Sequence, residues 1–551
     1  MAGGAFNWTS GTLRFSAGLS VEPGGPLGGS VTLGAGRVLE VVGGLSITNL
    51  HTVNLLGGTL AVGSMTGGAN LNWTSGTLSL TASTFVADTG GILGNSPTIG
   101  PGQFLRADVG NNIHSVGESS TGMLTISGGF ADFGIGALFV GNLNGSDGTL
   151  NVTNGGRVFS GRGAIAFQIG SVGEVTVSGE SRWEYGNDGI SIGTGGVGTL
   201  NIANGGSVVA DPSPPPLFEV DSPGVIGSGG TVYVDGASSR LSTKGSLYVG
   251  GSLSVTDGGG VFVTNSTPIA GFGESLIDVG GMASVDGNGS VLNAQFLNVN
   301  GGGMVRITND GAIRSNVEVE SLGEIHGDGN ITGDLQNGGL VSPGASSGTL
   351  TVDGDYTQSA SGELLIELAS ASSYDQLLVD GNVRLAGTLT VNLIDGFVPT
   401  NGQSFTIITD NVAGTFATEM LPSVPGLIFD VIYNPQSVVL TVSPAFTADF
   451  DEDGDVDGDD LDQWEGDFGV NALSDADDDG DSDGGDFLVW QRQVGFGPSA
   501  QSSGSVPVVP AGGAVPEPAS LRLYALMAIA ILCCRSTSIR HSVRAPQTDG
   551  G

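Results

Sequence analysis

Basic residues are scarce. Lys and Arg together number 16 against 55 Asp and Glu in 551 residues, which leaves a net charge of −39. Binding to nucleic-acid phosphates needs clustered Lys and Arg, so this balance argues against a nucleic-acid partner. It argues equally against unaided docking on anionic lipid. Cysteine is nearly absent. The two present, Cys533 and Cys534, are adjacent, so no disulfide can staple the body of the chain. A stacked-repeat core needs no such staple, and export stays open. The first residues, Met1 to Phe15, contain neither a basic segment nor an apolar run, so no signal peptide is visible. The expectation is that the chain starts inside a repeat of a longer gene product.

Glycine is abundant, at 99 residues, yet 39% of the chain is apolar and the mean hydropathy is positive. That composition can bury a core, which a disordered chain cannot. From residue 1 to about 335 a short phrase recurs: glycine, any residue, apolar, polar, apolar, then small residues. It starts at Gly122, Gly148, Gly173, Gly198, Gly230 and Gly251, with weaker copies at Gly281 and Gly303. The spacing centres near about 25 residues, within the range of solenoid repeats. A second phrase, an apolar residue followed by glycine, precedes most copies, as at Val116-Gly117, Val140-Gly141, Ile169-Gly170, Ile192-Gly193 and Val249-Gly250. NWTSGTL occurs at Asn7 and again at Asn72. Each repeat therefore carries at least two short strands, stable only when stacked on neighbours.

The pattern resembles the passenger repeats of bacterial autotransporters. That resemblance implies a mainly β fold, a right-handed parallel β-helix or solenoid over 1–335. A set of β-sandwiches with similar strand spacing is the alternative. Residues 336–445 alternate more cleanly, as in LTVNLI and SVVLTV, and resemble the module that closes such arrays. They are expected to cap the last open edge, with Tyr356 and Tyr374 as packing residues.

The segment 446–497 is dense in acid. Counting from Asp449, positions 1, 3 and 5 of a twelve-residue loop are Asp449, Asp451 and Asp453, and position 6 is Gly454. Asp455 is position 7, Val456 position 8, Asp457 position 9 and Asp460 position 12. Counting from Asp475 gives Asp475, Asp477, Asp479, Gly480, Asp481, Ser482, Asp483 and Asp486 at the same places. Leu461 and Phe487 also correspond, as do Trp464 and Trp490, so the unit is duplicated. Ca²⁺ takes six to eight oxygen ligands, and alternate positions of a curled loop point inward. The spacing predicts two Ca²⁺ sites, each followed by a short helix, with apolar Val456 pairing across to the sister loop. A solvated acidic tract would require neither the glycine at position 6 nor the matched Trp.

This segment resembles a type I dockerin, which also uses Asp at position 12. The resemblance implies a small α-helical module that binds a cohesin-like domain, often attached to proteins that degrade polysaccharide. Positions 10 and 11, where dockerins commonly carry Ser-Thr, are here Gly458-Asp459 and Gly484-Gly485. That departure touches partner recognition and leaves the metal positions intact.

A Ser/Gly/Pro/Val-rich linker, 498–514, leads to Pro516-Glu517-Pro518, an apolar stretch within 521–534, and then Arg535 and Arg540. Residues 515–551 resemble a PEP-CTERM sorting signal. The resemblance implies an exosortase-type processing enzyme as partner, a transient C-terminal membrane helix, and a final place at the cell surface or outside the cell. The apolar run is short for a full membrane crossing.

No catalytic constellation stands out. His51, His114 and His326 are far apart without ligand spacing, the arginines are scattered, and the polygalacturonase signature triplets are absent. Two readings follow. One is a non-catalytic surface or matrix protein, adhesive or structural, with a calcium-folded module. The other is a secreted polysaccharide hydrolase or lyase component docked through that module, with a cohesin-like domain or polysaccharide as partner.

Overall fold

A computed structural model describes residues 8–107, 110–186, 188–210, 223–264, 274–424, 427–444, 446–451, 453 and 455–496. Among these the chain winds as a parallel β-helix of three ladders. The first ladder runs through Ile113–Val116, Ala137–Val140, Arg162–Ile165 and Ile190–Ile192, and continues to Val412–Gly414. The second forms a separate 14-stranded sheet from Thr98–Ile99 to Thr418–Met420. The third carries Phe130–Asp132, Arg157–Ser160 and Arg182–Tyr185. The first and third merge into one 33-stranded sheet because long strands, such as Val291–Val299 and Ala312–Val319, turn a corner and serve both.

The recurrent glycine phrase is the second ladder. Its alternation sends every other side chain inward, and the register stacks like on like. Leu124 pairs with Leu150, Leu150 with Val175, Val175 with Leu200, Leu200 with Val232, and Val232 with Leu253. All six are fully buried. The column continues through Val305, Ile325, Val341 and Leu364 to Leu389, and ends where Leu389 meets exposed Glu419.

The glycines serve the corners between ladders. At Gly141, φ is +70° and a Cβ would lie 1.9 Å from the Val172 carbonyl oxygen, so no side chain fits there. Gly117 and Gly193 are its counterparts on neighbouring coils, both left-handed. On the coil between, the corner is Ile165-Ala166, with Ala166 at φ 52°. Ile169-Gly170, which the apolar-glycine phrase puts at this corner, lies in the loop just beyond it.

The parallel stack does not change character at residue 336. Leu335–Asn337 pairs with Ala312–Val319 on one side and Tyr356–Gln358 on the other, and Leu340–Pro343 is an ordinary rung of the second ladder. The stack ends in an antiparallel hairpin. Ser437–Pro444 pairs with Ser404–Thr409, the last rung of the third ladder, and Leu427–Asn434 pairs outside it. Reversing strand direction there closes an edge that another parallel coil would otherwise extend. Inside this region the Tyr356 hydroxyl donates to Gln358 Oε1 at 2.6 Å. Asn337 Nδ2 donates to the Glu363 carbonyl at 2.9 Å, so the buried amides are satisfied.

Candidate functional site

Two ten-residue helices, α1 (Gly458–Asp467) and α2 (Gly484–Gln493), follow the two acidic loops. Each starts on an aspartate. Asp457 and Asp483 are the N-caps, accepting from the Asp459 and Gly485 amides at 2.7 and 2.6 Å. Asp460 and Asp486, in the first turns, return the bond to the N-cap amides, both at 2.7 Å. These are reciprocal capping boxes, and negative charge at a helix N-terminus is favoured by the helix dipole.

Asp460 and Asp486 are also the most buried carboxylates of the segment, at 1% and 0% exposure. The second oxygen of Asp460 accepts from the Phe450 amide at 2.6 Å and the Asp451 amide at 3.3 Å. Asp486 does the same with Ala476 and Asp477, at 2.6 and 3.2 Å. Each position-12 carboxylate thus ties the start of its loop to the start of its helix.

The remaining carboxylates converge. Asp449, Asp451 and Asp460 bring oxygens within 4.8 Å of one another, as do Asp475, Asp477 and Asp486, and separately Asp479, Asp481 and Asp483. Among the described residues, Asp453, Asp455 and Asp457 of the first loop are not drawn into such a group. The Asp453 amide donates to Asp449 and Asp451, at 3.1 and 3.2 Å, and the Asp479 amide to Asp475 at 3.1 Å. Gly480 sits at φ 97° where the second loop turns; its counterpart Gly454 lies outside the described residues.

Mutual repulsion is visible in the acidities. Local desolvation, then the charges of neighbours such as Asp453, raises the carboxyls of Asp451 and Asp455 above their usual range. Desolvation and then Asp479 do so for Asp477, whereas at Asp481 the Asp479 charge comes first. Asp455 Oδ1 is shielded from solvent with no hydrogen-bond partner. An all-carboxylate donor set, crowded and under-neutralised, fits a hard divalent cation.

The two halves brace each other crosswise. Trp464 Nε1 donates to the Asp483 carbonyl at 2.9 Å, and Trp490 Nε1 to the Asp457 carbonyl at 2.8 Å. Each indole therefore holds the N-cap of the other half. Phe487 packs between the two, with ring centroids 5.0 Å from Trp464 and 5.6 Å from Trp490. Val456 shares a buried cluster with Ala476 of the sister loop, but among the described residues no backbone bond joins it to its counterpart Ser482. Val456 instead exchanges two backbone bonds with the segment after α2, through Phe496 and Gly495, and the Ser482 carbonyl accepts from Gly469, just after α1. Buried Ser482 can replace an apolar residue because its hydroxyl accepts from the Ser474 amide at 3.1 Å.

The three body histidines stay apart. His114 is buried against the Phe85 amide and the Phe133 ring, His326 pairs with Glu324 at 2.9 Å, and the His51 ring packs beside Gly29. One carboxyl missed by sequence reading is Asp375, fully buried, whose value desolvation pushes up to about 7. Its oxygens accept from the Gly348 and Glu367 amides, both at 2.9 Å, so it ties the loop before Thr349–Val352 to the strand Glu363–Leu368. Nothing in its sequence surroundings, SYDQL, marks it. Pro516, Glu517, Pro518 and the apolar stretch 521–534 lie outside the described residues. Among those described, no helix is long and apolar enough to cross a membrane.

Fold and site together define a parallel β-helix joined to a duplicated acidic loop–helix module. No family model matches the chain, and no curated protein matches it. Among solved structures, the chain is similar to a TibA fragment hyper-glycosylated by TibC, with a TM-score of 0.30 and 16% identity. The match covers 74% of this chain and 100% of that one.

Proposed function

We propose that the chain is a non-catalytic protein of the cell surface or extracellular matrix, adhesive or structural, whose C-terminal module folds around two Ca²⁺ ions. The observation that carries the calcium reading is the duplicated convergence of loop carboxylates on Asp460 and Asp486, at the starts of two cross-braced helices. Asp449, Asp451, Asp453 and Asp460 would hold one ion, and Asp475, Asp477, Asp479 and Asp486 the other, with the carbonyls of Asp455 and Asp481 contributing and Asp457 and Asp483 reached directly or through water. The ion supplies positive charge that offsets the loop repulsion; the chain's own part is to curl and cap. The Pro516-Glu517-Pro518 motif supports processing by an exosortase-type enzyme and delivery to the surface.

The test has two arms. Calorimetric titration of the intact chain with Ca²⁺ should reveal two sites, and absence of heat at millimolar Ca²⁺ refutes the metal reading. Protease shaving of intact cells should release the β-helix; full protection of the chain inside the cell refutes the surface reading.

A second reading is favoured by one feature. Phe468, Val470, Leu473, Leu488, Val494 and Phe496 are all well exposed on this small module. Apolar groups so concentrated fit a docking face, and a cohesin-like partner on a polysaccharide-degrading assembly would use it. Calcium-dependent capture by an immobilised cohesin domain, together with reducing-sugar release from a polysaccharide panel, separates the two readings.

A further inference from the structure

The outer face of the first ladder carries a row of side chains in strict register. Tyr248 pairs with Asp278, Asp278 with Asn298, Asn298 with Glu318, Glu318 with Gln336, and Gln336 with Thr357. Adjacent strands stand about 4.8 Å apart, so the row presents one polar or aromatic group per rung along the axis. The same row is closed on earlier coils, where Ser115, Phe139, Ala164 and Ser191 are all buried. Past half-buried Val225 it opens at Tyr248, which is 44% exposed.

Two concavities lie over the open part. One, about 430 Å³, is lined by Tyr248, Phe296, Asn298, Glu274 and Glu318 among others. The next, about 400 Å³, is lined by Glu318, Gln336, Thr357 and Ser359 among others. Glu318 lines both, so the two adjoin as one trough along the rungs from Tyr248 to Thr357. Asp278 Oδ1 accepts a hydrogen bond from Asn300 Nδ2, which holds the carboxylate in place.

We propose that this trough binds a neutral glycan chain. Its walls are carboxylates, amides and hydroxyls, which grip paired sugar hydroxyls, with Tyr248 and Phe296 offering flat faces for sugar C–H groups. No Lys or Arg lines either concavity, which disfavours phosphate, sulfate and uronate ligands. The carboxylates are spread along the axis, and among the described residues they form no group close enough to chelate one ion. A repeating chain suits a repeating row: each rung meets a similar unit. The inference is independent of the calcium reading, because none of these residues lies in the acidic loops.

The experiment uses the full chain and soluble neutral polysaccharides (a β-glucan, a dextran and a galactomannan), with polygalacturonate and a Lys-rich peptide for comparison. Affinity electrophoresis and calorimetry should detect binding to at least one neutral polymer and weaker or no binding to polygalacturonate. Tyr248→Ala should weaken it at least tenfold and Glu318→Gln severalfold. Tyr233→Ala, an equally exposed tyrosine on the second ladder, should leave it unchanged. Binding should survive chelation of calcium. The proposal is overturned if no neutral polymer binds, if only the peptide binds, if Tyr233→Ala costs as much as Tyr248→Ala, or if chelation abolishes binding while Tyr248→Ala does not.

Discussion

Replacing Asp460 and replacing Asp453 should have opposite consequences in the absence of metal, although both are expected ligands. Asp460 is buried and its carboxylate accepts three backbone amides, two of them at 2.6 and 2.7 Å. A hydrogen bond to a charged acceptor contributes roughly 1.5–3 kcal/mol. Counting only the two short ones, Asp460→Ala costs about 3–6 kcal/mol. A module of about fifty residues has roughly 2.5–7.5 kcal/mol in all, at the usual stability per residue. The loss is therefore of the same size as the whole, and α1 should melt even without competition for calcium. Asp453 is exposed, and among the described residues its carboxylate accepts one amide, that of Asp455, at 3.2 Å. Removing it takes one negative charge out of a repelling loop, so metal-free Asp453→Ala should be as helical as the parent or more so.

The assay is far-ultraviolet circular dichroism of residues 446–497 in chelator and in calcium, with calorimetry alongside. Asp460→Ala should lose helix in chelator and regain little in calcium. Asp453→Ala should keep its helix in chelator and lose one binding event. Saturation at a hundred times Kd adds about 2.7 kcal/mol per site, so the parent should gain roughly 5 kcal/mol from two ions and Asp453→Ala about half. If Asp460→Ala keeps its helix in chelator while Asp453→Ala unfolds, the division between scaffold and ligand is wrong.

Other outcomes follow from the same geometry. Gly141→Ala places a methyl 1.9 Å from a carbonyl oxygen at left-handed φ, and should cost about 1–3 kcal/mol in strain alone, read from the urea midpoint. Leu150→Ala empties one rung of the aliphatic column and should cost about 2–5 kcal/mol, whereas exposed Tyr233→Ala should be near neutral. Asp375 has a folded value of about 7, above the ordinary 3.8. Folding therefore takes up a proton between those limits, and its contribution to stability is greatest below about pH 4 and falls as pH rises to 7. Comparing urea midpoints at pH 4.5 and 7.5, Asp375→Asn should show a shallower fall than the parent. Trp464→Phe should remove the bond to the Asp483 carbonyl and weaken calcium binding at the second loop as well as the first; an effect confined to the first would contradict the cross-brace.

How far the sequence reveals this fold depends on which residues answer to local rules. The second ladder is legible because its strands alternate with period two and its glycine has a steric cause: a Cβ at Gly148 would lie 2.1 Å from the Val116 carbonyl oxygen, one coil away. The acidic loop–helix units are legible because the spacing of their carboxylates is fixed within twelve residues. The cross-brace is not, because the partner of Trp464 depends on how two helices face each other, and the carbonyl it meets carries no sequence signature. The change of texture at residue 336 has no counterpart in the stack, where Glu363–Leu368 and Thr388–Leu393 are ordinary six-residue rungs of the second ladder. Three-residue rungs such as Tyr356–Gln358 offer too few alternations to be recognised at all.

The trough on the first ladder is the extreme case. From Tyr248 the chain runs 30 residues to Asp278, 20 to Asn298, 20 to Glu318, 18 to Gln336 and 21 to Thr357, so no constant period runs through the row. They align because each coil must restore the register of its three strands, while the loops between absorb any difference in length. In a β-helix the core column is therefore written as a repeat, since burial demands the same residue type on every coil. The outward row carries no such demand. Its composition is free to follow a ligand, and it becomes readable only once the register is known.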